Sequence, residues 1–404
     1  SGTDYEHEDL AANLWTNPGE TGTDAQGRDK RTNRIDDDGN GKIDDWRGWD
    51  FVGDITRSQY LTSGTTREDS DPKVYPPVLP MPETMQHGTC VAGTADATTN
   101  NGRGIASPAG YRCRYIPIKC GSDDTSLANS ILRGYDAILY AARLGASVIN
   151  CSWGGPGGSP LEQQVIDQAR ALGSFIVVAA GNEGLDLDRQ PYYPACYRGV
   201  FTVGASNSTN DRVASFSNYG TAVAAFAPGV GIRTTAPDNA YTTVDGTSFA
   251  CPLAAGIAAL VRSLHPTWTA DQIAAQLRYS CDPLSGITAA NRPRYYGRIN
   301  AYRALAYNRD FTSGPSYPGV QLVGASIDSG TAITSTGEHR LNLRIRNLLA
   351  PAQSVRLALS VSSNATVAET SLSTAQVGTL EERMLSTSIR LTEPAYFATD
   401  TVQI

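Results

Sequence analysis

From about residue 110 to 265 the chain alternates between short apolar runs and longer stretches with helical periodicity. Tyr115–Lys119, Ala146–Cys151, Phe175–Ala180 and Val200–Val203 are β-rich and nearly all apolar. Between them, Ile131–Leu144 carries Ile131, Tyr135, Ile138, Leu139 and Ala142 on one face. Leu161–Leu172 does the same with Leu161, Val165, Ile166, Ala169 and Leu172, so both stretches read as amphipathic helices. Strands alternating with helices of this length predict a mostly parallel sheet covered on both faces, which is why its strands lack a polar side. Gly and small polar residues follow several strand ends, where such sheets build their sites.

The pattern changes after Asn308–Gly319, a linker-like stretch rich in Gly, Pro and Ser. Leu341, Leu343 and Ile345 interleave with Asn342, Arg344 and Arg346, and Val355, Leu357, Leu359 and Val361 with Arg356, Ala358 and Ser360. Strict alternation predicts strands with one wet face, hence a small β-sandwich of immunoglobulin or fibronectin type. The expected division is 1–307, a linker over 308–319, and 320–404. The last domain is expected to be incomplete, because the chain stops inside a strand-like run at Ile404.

Composition narrows the function. Lys and Arg total 33 against 40 Asp and Glu in 404 residues, a net charge of −7 with the cations scattered. That argues against a nucleic-acid partner held by bulk charge. The longest apolar run, Phe249–Val261, contains a Pro and a Gly and is too short to span a bilayer. The seven cysteines are an odd number with no CxxC pair, so buried free thiols are the default reading, with no bridge between Cys113 and Cys120. There are only four histidines, at 7, 87, 265 and 339.

Three segments carry chemistry: His87-Gly88-Thr89-Cys90-Val91-Ala92-Gly93-Thr94, Val177-Val178-Ala179-Ala180-Gly181-Asn182-Glu183-Gly184, and Asp245-Gly246-Thr247-Ser248-Phe249-Ala250-Cys251-Pro252. Each alone has a plain explanation: His87 and Ser248 as helix caps, Asn182 as a turn residue. Together, in this order, they resemble the subtilisin-like serine peptidases, over about Ser1–Leu305. The resemblance implies a three-layer α/β sandwich with a mostly parallel central sheet, followed here by the small all-β domain. It implies His87 as general base, Ser248 as nucleophile, and Asn182 as donor to the oxyanion beside the Ser248 N–H. It also implies polypeptide substrates laid along Ser152, Trp153, Gly154 and Gly155 by main-chain hydrogen bonds, with Gly181 beside them. Gly154 and Gly155 suggest an open first pocket with a preference for medium or large apolar residues. Cys90 stands where many relatives have His, which raises the expectation of sensitivity to mercurials. A secreted or cell-surface, monomeric enzyme made with an N-terminal propeptide follows from the same likeness.

The family orders its triad Asp, His, Ser. The stretch Ser1-Gly2-Thr3-Asp4 resembles the segment just after the acid, which places the triad Asp, with the first central strand, before Ser1. The chain as written is therefore expected to be a fragment of weak activity; the alternative is a non-catalytic, calcium-dependent binding or adhesion protein on the same scaffold. Calcium is expected from Asp36-Asp37-Asp38-Gly39-Asn40-Gly41-Lys42-Ile43-Asp44, which resembles an EF-hand-type loop. Asp36, Asp38, Asn40, the Lys42 carbonyl and Asp44 would supply oxygens. Arg47 stands where a bidentate Glu is usual, leaving Asp45 as the nearest spare carboxylate.

Overall fold

The computed structural model describes residues 1–75, 81–127, 129–287, 296–310, 315–328, 337–361 and 365–391. The last strand-like run of the sequence lies outside them. The chain separates into two compact units, one of residues 1–273 and 280–304, the other of 274–279 and 305–404.

The first unit is α/β. Its strands are β1 (Trp49–Asp50), β2 (Ile118–Lys119), β3 (Val148–Cys151), β4 (Gly155–Pro156), β5 (Phe175–Ala179), β6 (Tyr192–Tyr193), β7 (Phe201–Asn207), β8 (Arg212–Val213), β9 (Val223–Pro228), β10 (Ile232–Ala236) and β11 (Ala240–Val244). Its helices are α1 (Arg57–Ser63), α2 (Glu83–Asp96), α3 (Gly134–Arg143), α4 (Pro160–Ala171) and α5 (Thr247–Leu264). β3, β5, β7 and β9 form a parallel sheet, with β8 added antiparallel to β7. Every residue of β5 is buried, as a strand covered on both faces requires. On one side Ile138, Ile166 and Ala169 of α3 and α4 join Ile149, Ile176 and Val178 in a common core.

Two expected elements differ in extent. The run Tyr115–Lys119 is strand only at Ile118–Lys119, where it pairs parallel with Trp49–Asp50. Pro117 has no N–H to give a ladder, and its carbonyl accepts instead from Trp49 N at 3.4 Å. The apolar run Phe249–Val261 belongs to a longer helix, α5, which at 18 residues is long and apolar enough to cross a membrane by length and composition alone. Eleven of its residues are buried, and it packs against α2, β3, β5, β7 and β9. Burial inside the protein accounts for its apolarity as well as a bilayer would.

In the second unit, β12 (Val320–Ile327), β13 (Glu338–Asn347), β14 (Val355–Ala358), β15 (Ala365–Val367), β16 (Ser371–Thr374) and β17 (Glu382–Leu391) form two antiparallel sheets. The order is β12-β13-β17-β15 in one and β14-β16 in the other. Leu341, Leu343 and Ile389 from the first sheet meet Leu372 of β16 and Leu359. The alternation read in the sequence is the inward face of this sandwich.

A feature of the first unit positions the site. β2 pairs only with β1, and β3 pairs only with β5, among the described residues. Between β2 and β3 lies a cavity of about 810 Å³, lined by Ile118 on one side and Val148, Asn150 and Ser152 on the other. Protein interiors rarely hold voids larger than a few waters, so a space of this size between two open strand edges is a slot and not a packing defect.

Candidate active site

His87 sits in the second turn of α2, and Ser248 is the second residue of α5. The packing of these two helices brings both side chains to the wall of the slot, together with Ser152, Trp153, Gly154 and Ser1. The His87 ring lies 5.6 Å from the Phe249 ring, centroid to centroid. Among the described residues no hydrogen bond joins His87 to Ser248, and none joins its ring to a carboxylate; Ser248 Oγ donates instead to the Ser152 carbonyl at 3.4 Å. The structure thus gathers base and hydroxyl at one cavity without pairing them, a common state of an unliganded site. The imidazole is half-buried, and that desolvation, reinforced by the neighbouring Ser1 amino group, pushes its pKa down to about 4.

Asn182 is exposed at the end of β5, and its orientation is dictated by one residue. Its Oδ1 accepts from both Thr247 N and Thr247 Oγ1, each at 2.8 Å. The Thr247 hydroxyl also accepts from Gly181 N at 3.1 Å. With the carbonyl end of the amide committed, Nδ2 is left to donate outward, as an oxyanion ligand must. Gly181 has φ +102°, and a Cβ there would meet Asn218 Nδ2 at 2.3 Å, so no other residue fits. Asn218 in turn donates to the Ala180 carbonyl and Glu183 Oε2 and accepts from Glu183 N and Leu185 N, wiring the whole turn. Thr247 and Asn218 were not singled out in the sequence; Thr247 lay in plain view beside Ser248, but its partner is 65 residues away.

Ser152 has a role set by a proline. Pro252 lies inside α5 and has no N–H, so the Ser248 carbonyl, four residues back, loses its helical donor. Ser152 Oγ donates to that carbonyl at 2.7 Å, while Asn150 Nδ2 donates to Ser152 Oγ at 3.0 Å. We expect Ser152→Ala to cost about 1–3 kcal/mol by stranding a partly buried carbonyl. Adding Pro252→Ala should recover much of that loss by restoring the helical N–H. Thermal denaturation of the single and double variants checks both signs.

The segment Ser152–Gly155 is only partly as open as expected. Trp153 packs edge-on against Tyr135 at 5.4 Å. Gly155 pairs with Tyr193 across β4 and β6, and a Cβ there meets nothing within 4 Å. Gly154 does not open space: the Tyr192 ring fills it, 2.4 Å from where a Cβ would be, and Tyr192 Oη donates to the Gly154 carbonyl at 2.9 Å. An aromatic side chain 38 residues downstream therefore fills the space over Gly154. The thiol reading of Cys90 also changes. Cys90 is buried, and burial pushes its thiol up to about 12, which leaves little thiolate for a mercurial to meet. All seven cysteines are free thiols.

The acidic loop folds on its own side chains. Asp36 accepts from Gly39 N, Asn40 N and Gly41 N, and Asn40 Oδ1 accepts from Lys42 N at 2.8 Å. Gly39 and Gly41 take φ of +73° and +87°, which lets the loop turn back sharply. Asp36 and Asp38 come together, but Asp44 turns aside, its Oδ1 accepting from Arg34 N at 3.0 Å. The Lys42 ammonium pairs with Glu68. Asp45 is not spare: it is fully buried and accepts from Asn17, Asn40 and Tyr140. The carboxylate that joins Asp36 and Asp38 is Glu20, with oxygens of all three within 4.8 Å of one another.

Comparison with known proteins places this geometry in a context. The Subtilase family profile matches residues 1–297. A thermophilic serine proteinase of Bacillus sp. (strain AK1) is 40% identical over 221 residues, 55% of this chain and 52% of that protein. Subtilisin DY of Bacillus licheniformis is 39% identical over 213 residues, covering 52% of this chain and 74% of the relative. Thermitase of Thermoactinomyces vulgaris is 39% identical over 227 residues, 55% of this chain and 75% of the relative. The chain thus spans about half the length of some curated relatives and three quarters of others. Among solved structures, a protease from Pseudoalteromonas arctica PAMC 21717 superimposes with a TM-score of 0.56 at 27% identity, covering 76% of this chain and 87% of that one.

Proposed function

Because the chain belongs to the subtilase family, we propose that it is a serine endopeptidase that cleaves polypeptides through an acyl-enzyme on Ser248. One observation carries the reading: His87 and Ser248 line the same slot, while Thr247, the residue before the hydroxyl, holds the Asn182 amide with its donor end free. His87 takes the Ser248 proton as Oγ attacks the scissile carbonyl, and returns it to the leaving amine. Asn182 Nδ2 and the Ser248 N–H hold the oxyanion. The substrate runs along Ser152–Gly155, with Tyr192 as one wall of its first pocket.

The acid that orients the imidazole is supplied, in this proposal, by an extended apolar segment ending in Asp and seated between β2 and β3. The slot lies between two open parallel edges, and the bare side of His87 faces it. Without that carboxylate the imidazole is a weak base. A bound calcium ion belongs to the same proposal: oxygens from Asp36, Asp38 and Asn40, with the Lys42 carbonyl and Asp44 as the loop pattern implies, suit a hard cation and would brace this loop without entering the chemistry. Secretion or surface display, a propeptide in the precursor and a monomeric mature form are part of it too.

The bare imidazole favours a second reading, a non-catalytic binding protein on this scaffold. A fluorophosphonate probe separates the two. The peptidase reading expects adduct on Ser248, located by mass spectrometry and lost in His87→Ala. A folded protein that takes up no probe, even with an Asp-bearing segment in the slot, is the binding protein.

A further inference from the structure

The structure assigns Glu20 as a calcium ligand that completes the acidic loop from outside it, an inference resting on the proposed calcium site at Asp36 and Asp38. Glu20 ends a short 3₁₀ turn, Pro18–Glu20, which Asn17 caps by accepting from Gly19 N at 3.0 Å. That turn is 16 residues upstream of Asp36 and is not part of the loop motif. The Glu20 side chain is fully buried. Its Oε1 accepts from the backbone N–H groups of Asp37 and Asp38 at 2.6 and 3.2 Å, which fixes the carboxylate against the loop. Its Oε2 is buried with no hydrogen-bond partner. The same carboxylate has an oxygen within 4.8 Å of carboxylate oxygens of Asp36 and Asp38.

A buried, partnerless carboxylate oxygen beside two other carboxylates is unfavourable twice over, by desolvation and by like charge. A divalent cation reverses both penalties. The donors are all hard oxygens, which suits calcium with its six to eight ligands at about 2.3–2.6 Å. The loop lacks the acidic side chain that such loops place at their twelfth position, where this chain has Arg47. Asp45 cannot stand in, since Asn17, Asn40 and Tyr140 already occupy its oxygens. Asn17 also ties the two segments, its Nδ2 donating to Asp38 and Asp45 at 2.9 Å each. Calcium at this point would clamp the turn at 17–20 to the loop at 36–45.

The test compares the full chain with Glu20→Gln, which keeps the shape and removes the charge. Calcium affinity is read by calorimetry and by displacement of terbium luminescence, and the melting temperature with calcium and with EDTA. We expect Glu20→Gln to weaken calcium by roughly 10- to 100-fold, the range that loss of a site-tuning group produces. We also expect it to melt higher than the parent in EDTA and to gain less from calcium. A residue with a merely structural role would lower both melting temperatures. Should Glu20→Gln prove too unstable, Glu20→Ala with the same titrations serves. Unchanged affinity beside a parent that binds calcium overturns the Glu20 assignment alone. A parent that binds no calcium overturns the loop reading and this inference with it, and Asp36→Asn marks that case by changing nothing.

Discussion

Extending the chain ahead of Ser1 with an apolar strand that ends in Asp should raise turnover by on the order of 10⁴-fold, a figure taken over from the loss of a triad acid in serine peptidases. The physical basis is the slot. β2 and β3 each offer one open edge to it, and Ser1 stands at the wall beside His87. Ser1 Oγ already accepts from Gly88 N at 2.8 Å, which holds the start of the chain against the helix that carries the base. Two changes would act together. The extension turns the Ser1 amino group into a neutral amide, removing the smaller of the two causes that depress His87, burial being the larger. The Asp places a negative charge on the ring, which raises its pKa and holds its tautomer.

The pH profile gives the sign. Neutral imidazole is the active form, so the acid limb of kcat/KM falls where His87 protonates. In the chain as it stands we expect that limb near pH 4, following the depressed value. With the carboxylate in place it moves up toward or beyond the ordinary histidine value of about 6.5. An extension ending in Asn is the control: it fills the slot but gains little rate. Equal rates for the Asp and Asn forms, both folded, would exclude the slot as the seat of the acid.

The second large effect concerns stability. Lys119→Met should cost about 3–5 kcal/mol at neutral pH, because it breaks a buried ion pair from one side. Lys119 is 1% exposed, and its Nζ lies 2.6 Å from Asp50 Oδ2 and 3.0 Å from Asp123 Oδ2. Burial alone opposes the ammonium, yet the two carboxylates together keep its pKa above the ordinary lysine value. Asp50 is held in place by accepting from Val52 N and Gly53 N, so it cannot swing out to water when the lysine goes. Burial already raises both carboxylate pKa values, and Lys119 is the main group opposing that rise.

The linkage follows. A lysine with a raised folded pKa contributes its full stabilisation below about pH 10.4 and loses it as pH climbs through the folded value. In Lys119→Met the orphaned carboxylates can take up protons, so the deficit shrinks as pH falls from 8 toward 5. Chemical denaturation at the two pH values measures it. A deficit that is small at pH 8, or that grows on acidification, contradicts this account. Removing all three charges with Asp50→Asn and Asp123→Asn should return part of the loss, since an uncharged core avoids the desolvation penalty.

How much of this was legible beforehand differs by residue. α4 reads directly from the sequence because its signals are local: Ser159 caps it, Glu162 completes the capping box, and Val165, Ile166 and Ala169 repeat at helical spacing. β5 reads as a buried strand because every residue from Phe175 to Ala179 is apolar. His87, Asn182 and Ser248 read as a group because each sits in a distinctive short string. Tyr115–Lys119 forms less strand than its composition predicts, since strand propensity does not register the ladder position that Pro117 cannot fill.

What the chain alone determined is therefore whatever depends on neighbours within a turn or two: the helices and strands, the glycines at positive φ, the residue types that chemistry needs, and the acidic loop as a loop. What only tertiary structure decided depends on partners brought from far along the chain. Thr247 orients Asn182 across 65 residues, and Tyr192 fills the space over Gly154 from 38 residues away. Ser152 answers a carbonyl that Pro252 leaves bare across 96. Glu20 meets Asp37 and Asp38 from a separate turn. Hydrogen bonds and charges act over a few ångströms whatever the sequence distance, and only the packed core fixes which distant groups come that near.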